Sequence, residues 1–264
     1  MGGQIWVSAA GLETRSSEVD TLAQDIANVN TPGFKALLPL DTNMAPQPVY
    51  PAGLSVGPAV PPNVLAGGGA APIASDVDWS EGSLAQTGQP LDLAIVGPGL
   101  FMLRDAAGHT EYARGGSFQL DSAGHITDAD GRLLLDDNGQ PITLPPGSGS
   151  PDVHADGTLT VAAAAGGSSP STVARLGLAF PTAPQGMQQS GFGVWAAGPG
   201  AGPVVTAAPD GTSTRIQSGV LEDSNSDLTV LLPRLLAAQQ AYAANARGVS
   251  VGLQLWQLTN QLRA

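Results

Sequence analysis

The chain contains no cysteine, so it has neither a disulfide framework nor thiolate chemistry. Basic residues are scarce: ten Lys plus Arg stand against 22 Asp plus Glu, a formal charge of −12 over 264 residues. That balance argues against neutralising a phosphate backbone, and nucleic acid is not expected as a partner. Charged residues make up only 12% and aromatics 5%, while Gly (35) and Pro (22) are abundant. Such a composition favours strands, turns and irregular chain over a dense helical globule. No apolar run approaches the roughly 18 residues of a membrane span, so no membrane insertion is expected. The opening "MGGQIWVSAAGLETRSSEVD" has no basic n-region and no continuous apolar core, and no cleaved Sec-type signal peptide is expected.

Motifs for chemistry are also sparse. His109, His125 and His154 are too widely spaced to form a compact ligand set. "GPGLF" has Gly97 and Gly99 after an apolar strand but lacks the third glycine and the helix of a dinucleotide site. Asp128, Asp130, Asp136 and Asp137 are out of register for a calcium loop and read as solvated turns. No Gly-x-Ser-x-Gly elbow occurs. A Ser/His/Asp site assembled only in three dimensions stays open, because triads are defined by geometry. The expectation is no catalytic residue, no metal, no cofactor and no small-molecule substrate.

Both ends carry a heptad pattern. Ile5, Ala9, Leu12, Ser16, Val19, Ala23 and Ile26 alternate steps of four and three, as do Leu228, Leu232, Leu235, Gln239, Tyr242, Ala246, Val249, Leu253 and Trp256. Gly248 and Gly252 each weaken a helix by about 1 kcal/mol, and Pro233 interrupts the second pattern near its start, so this helix needs a partner. Ser224, Asn225 or Ser226 is the expected cap, with Asp227 suited to the positive helix end. The first helix is expected to stop at "NVNTPGFK", where Asn30 and Gly33 tolerate left-handed angles and Pro32 turns Thr31 away from helix.

Between the ends the texture changes. Residues 36–74 hold eight prolines and one charge, Asp41, which reads as an extended connector. From about residue 77, short apolar runs such as "LDLAIVG", "LFMLRD", "TEYARG" and "RLLLDDNG" alternate with Gly and Asx-Gly turns, the pattern of antiparallel strands. The expected fold class is α+β: a predominantly antiparallel β central domain with N- and C-terminal heptad helices forming a helical assembly domain. The expected divisions are 1–36 for the first assembly helix and its exit turn, 37–76 for the connector, 77–221 for the β domain and 222–264 for the second assembly helix.

Three stretches in this order carry a resemblance. "IANVNTPGFK" resembles the N-terminal signature of the flagellar rod, hook and hook-associated axial proteins; "EGSLAQTGQPLDLAIVGPGLFML", continued by "YARGGSFQLDSAGHITDADGRLLL", resembles their central motif; "IQSGVLEDSNSDLTVLLPRLLAAQQAYAANARGV" is similar to their C-terminal one. Pro98, Leu100, Gly115 and Pro233 depart from the usual family residues. Length fits the basal-body rod proteins, with a lean toward the proximal, FlgF-type branch over the FlgG type. The resemblance implies motif positions at Asn28, Asn30, Thr31, Gly33, Phe34, Ser224 and Asn225. It also implies an assembly interface on Ile5, Leu12, Val19, Ile26, Leu228, Leu235, Tyr242, Val249 and Trp256. The implied partners are copies of the chain and other rod and axial proteins. The implied place is the flagellar basal body, reached without a cleaved signal peptide. A secreted β-rich adhesin or scaffold is the alternative reading.

Overall fold

A computed structural model of the chain describes residues 2–45, 47–48, 65–73, 75–162, 171–191 and 193–262. Contacts divide it into two units: residues 1–27, 37–76 and 227–264 form one, and residues 28–36 and 77–226 the other.

The first unit is built on α1 (Gly2–Ala27) and α2 (Leu228–Gln261). They run antiparallel, with Leu22 against Leu231 and Ala238 at one end and Ile5 beside Gly252 at the other. The small residues are where the helices approach. A Cβ on Gly252 would stand 2.7 Å from Ile5 Cγ1, one on Gly248 2.8 Å from Ser8 Oγ, and one on Gly11 2.7 Å from Asn245 Nδ2. The glycines that weaken each helix alone therefore permit the pairing that rescues both. Pro233 does not break α2, which runs through it; in the second turn a missing N–H forfeits a single helical bond. The cap differs from expectation too. Asp227 itself accepts from Thr229 N at 2.8 Å and from Thr229 Oγ1 at 2.7 Å, because its backbone is already extended (φ −113°, ψ 112°) at the right position.

Residues 37–76 supply short antiparallel pairs to this unit, Asp41–Asn43 with Ala70–Pro72 and Gln47–Pro48 with Leu65–Ala66. Thr14 Oγ1 on α1 donates to Ala70 O at 3.1 Å. Pro46, Pro51, Pro58, Pro61 and Pro62 of the proline-rich stretch lie outside the described residues.

The second unit is antiparallel β. Nine of its described strands join one sheet. At its centre Leu100–Arg104 pairs with Thr110–Ala113, Leu133–Leu134 and Leu178–Pro181. Successive side chains of that strand point to opposite faces. Phe101 and Leu103 enter a core with Leu93, Ile95, Leu134, Leu178 and Ile216; Leu100 and Met102 enter another with Tyr112, Met187 and Trp195. Burial on both faces explains why "LFML" is an unbroken apolar run. A three-stranded sheet places Asp92–Val96 between Gly115–Ser117 and Arg215–Ser218. The strands Pro151–Val153, Met187–Gly191 and Val204–Ala207 have no readable apolar pattern in the sequence, and Pro141 and Thr143 take part only in isolated bridges, with Leu135 and His125.

The acidic turns share one device. Asp105, Asp121, Asp128 and Asp136 each accept, through Oδ1, the amide of the residue four positions on, at 2.7–2.8 Å. Each is followed three residues later by a glycine with positive φ, Gly108, Gly124, Gly131 and Gly139. The carboxylates are spent on folding the hairpins.

Candidate functional site

The helix pair leaves much of its apolar surface uncovered. Leu22, Leu231 and Ala238 are buried in it, with Val19, Ile26 and Leu235 packed against them. Ile5, Leu12 and Val249 are half-buried, whereas Leu228, Tyr242 and Trp256 of the expected interface are exposed. The intrachain contact thus runs one residue round α2 from the heptad count, along Leu231, Leu235, Ala238, Asn245, Gly248 and Gly252. Beyond Leu231 and Leu235 the residues facing α1 are small, and most large ones are turned out. Leu232, Leu236, Val251, Leu255 and Leu258 stand exposed, Leu236 by 58%. Each gains about 1 kcal/mol if its exposed half is later covered. From Leu228 to Ala264 there is no Asp or Glu, so no carboxylate need be desolvated to cover this face.

In the β unit the motif residues build a buried node. Asn28 is buried and its side chain accepts from Thr31 Oγ1 at 3.2 Å, closing the turn after α1, with Asn30 on the outside. Gly33 takes φ +69° and donates its amide to Glu222 O at 2.7 Å. The positive φ is what favours glycine there, while at Gly115 a Cβ would stand 2.9 Å from Leu93 O. Phe34 is fully buried, and so is Lys35, the only lysine in the chain.

Lys35 Nζ donates to Glu222 Oε1 and to Ser80 O, each at 2.6 Å. Glu222 Oε1 also accepts from Gly82 N at 2.9 Å, and Oε2 from Arg114 Nε at 3.0 Å. Arg114 in turn reaches Gly99 O at 2.8 Å and Glu81 at 3.2 Å. Burial pulls the Lys35 ammonium below its usual range, and the Glu222 carboxylate works against that pull. Asn225 completes the node: its Oδ1 accepts from Ala36 N at 2.7 Å, and its Nδ2 donates to Asp78 O at 2.8 Å. Ser224 Oγ accepts from Ser226 N at 3.1 Å. Neither Asn225 nor Ser224 caps α2.

Sequence reading named Gly33, Phe34, Ser224 and Asn225 but missed Lys35, Arg114 and Glu222. One signal was present: a chain with a single lysine places it directly after a helix-stop motif. The histidines are dispersed, His109 beside Asp105 and His125 beside Asp121 at separate hairpin tips, and His154 near Thr160.

Among the described residues, then, the helix pair leaves an apolar row bare while the β unit buries its own cores and motif residues. Residues 94–161 match the family described as flagellar hook protein FlgE/F/G D1 domain. The chain is 31% identical over 263 residues to flagellar basal-body rod protein FlgG of Caulobacter vibrioides, covering 97% of this chain and 98% of that protein. It is 28% identical over 258 residues to FlgG of Bacillus subtilis, covering 96% of each. It is 29% identical over 247 residues to flagellar basal-body rod protein FlgF of Caulobacter vibrioides, covering 94% of this chain and 92% of that protein. The chain belongs to the flagellar basal-body rod protein family, in its FlgF/FlgG type.

Proposed function

We propose that the chain is a structural subunit of the flagellar rod that polymerises through its paired terminal helices, with copies of itself and other rod proteins as neighbours and no catalytic role. The observation that carries this reading is the bare apolar row on α2, Leu232, Leu236, Val251, Leu255 and Leu258. A patch of that kind, free of carboxylates, is an interface surface. A heterologous contact on it adds subunits along a helix. The exposed interface residues Leu228, Tyr242 and Trp256 face the neighbouring subunit in this scheme, while Ile5, Leu12, Val19, Ile26, Leu235 and Val249 shape the pair that presents them.

Leu236→Asp tests it. The variant places a charge where a neighbour must desolvate it, while Leu236 is largely outside the intrachain contact. The expected outcome is loss of the chain from isolated basal bodies and loss of motility, with the β unit's unfolding transition unchanged. Normal incorporation of this variant overturns the proposal.

A further inference from the structure

The chain passes between its two units four times, at residues 27/28, 36/37, 76/77 and 226/227. Each passage enters the β unit in a segment that belongs to the node. The 28–36 segment, flanked by the first two passages, contributes Gly33, Lys35 and Ala36; the segment after the third contributes Asp78, Ser80 and Gly82; the segment before the fourth contributes Glu222 and Asn225. These segments are also tied to one another. Ala36 O accepts from Asp78 N at 2.9 Å, Asn225 holds both Ala36 and Asp78, and Lys35 joins Ser80 to Glu222.

We propose that the node is the load junction of the chain: it binds all four passages into one knot, so that force entering from any helix-unit segment is shared among them. The idea rests on the reading of the protein as a structural subunit. A hydrogen-bonded strand pulled from its end opens one bond at a time. Val220–Glu222, paired only with Leu84–Gln86 in its sheet, is open to that failure. Cross-ties to Lys35, Ala36, Asp78 and Arg114 load several bonds at once, and the buried charges strengthen them because little water competes. The alternative, that this cluster is an ordinary buried ion pair, gives no reason for it to gather segments from all four passages.

The test is an optical-trap measurement on the purified full-length chain. The absence of native cysteine lets two handles be placed uniquely, at the exposed Val230→Cys beside the fourth passage and Ala107→Cys on a hairpin tip. The unsubstituted node is expected to hold residues 220–226 until the β unit ruptures. Asn225→Ala removes the ties to Ala36 and Asp78 without stranding a buried charge and leaves Glu222 held by Lys35, Arg114 and Gly33, so it is expected to release residues 223–226 first. The release would appear as a separate lower-force lengthening of at most about 13 Å, the extended length of those four residues. Asn225→Ser is the second variant, with the same expectation. Early release in the unsubstituted node, or identical traces for it and the variants, overturns the proposal. This readout requires no rod. A negative result leaves the assembly proposal standing, and failure of the Leu236→Asp test leaves the trap result standing.

Discussion

In the β unit Phe101, Phe118 and Trp195 are buried to within a few per cent, while in the helix unit Trp6 and Trp256 stand 77% and 56% exposed. The difference lies in what each unit completes by itself. The β unit fills two cores from the two faces of its central strand and closes Lys35, Arg114 and Glu222 in a node. The helix unit buries Leu22, Leu231 and Ala238 and turns its larger residues outward. Internal closure suits a body that keeps its form, and an open apolar face suits a part whose folding is finished by neighbours.

The sharpest way to break the closed half is Glu222→Gln, which leaves Lys35 and Arg114 buried beside a neutral side chain. We expect a loss of about 3–5 kcal/mol in the β unit's stability, read by denaturant unfolding through buried Trp195. Because Lys35 is the only lysine, acylation mapped by mass spectrometry is expected to find it protected in the native protein and reactive in this variant. The combined Lys35→Met, Glu222→Gln variant is expected to recover part of the loss. A single-variant loss below about 1 kcal/mol would show that the node does not close the unit.

The open half is tested at its closest approach. Gly252→Leu drives a side chain into Ile5, and we expect about 1–3 kcal/mol of overpacking cost. It should appear as a drop in helical circular dichroism with the β unit's transition intact.

A pH profile separates the halves further. Burial pushes the Asp25 carboxyl, in the last turn of α1, up to about 6, although the Leu37 amide donating to it at 3.0 Å pulls the other way. A carboxyl raised on folding favours the fold in its protonated form. Its contribution is full below about pH 3.8 and is lost as pH rises through about 6. The helix unit is therefore expected to lose on the order of 3 kcal/mol across that window. Asp25→Asn should abolish the dependence, measured by helical signal against pH. The smallest effect is expected from Asp227→Ala, which frees the cap of α2; hydrogen exchange should speed up at the Thr229 and Val230 amides and not in the body of the helix.

The α+β class, the helices at both ends and most of the strands followed from local periods, because steps of three and four or of two are imposed by backbone geometry wherever one face is buried. The stop at "NVNTPGFK" was readable because it too is local: Pro32 fixes its own φ and turns Thr31 away from helix, and Gly33 permits the positive φ the turn takes. Long-range choices were not readable. Which face of α2 meets α1 depended on the room left by Gly248 and Gly252 against Ile5 and Ser8, and a heptad count, which seeks large apolar residues, selected the neighbouring row. The pairing of Lys35 with Glu222, 187 positions apart, has no local period at all. By itself the sequence determined both helices, most of the strands, the turn glycines and the family. Only the tertiary structure decided which helix face was spent within the chain, and that the single lysine, an arginine and a glutamate would meet out of water, because burial and close approach belong to no one segment.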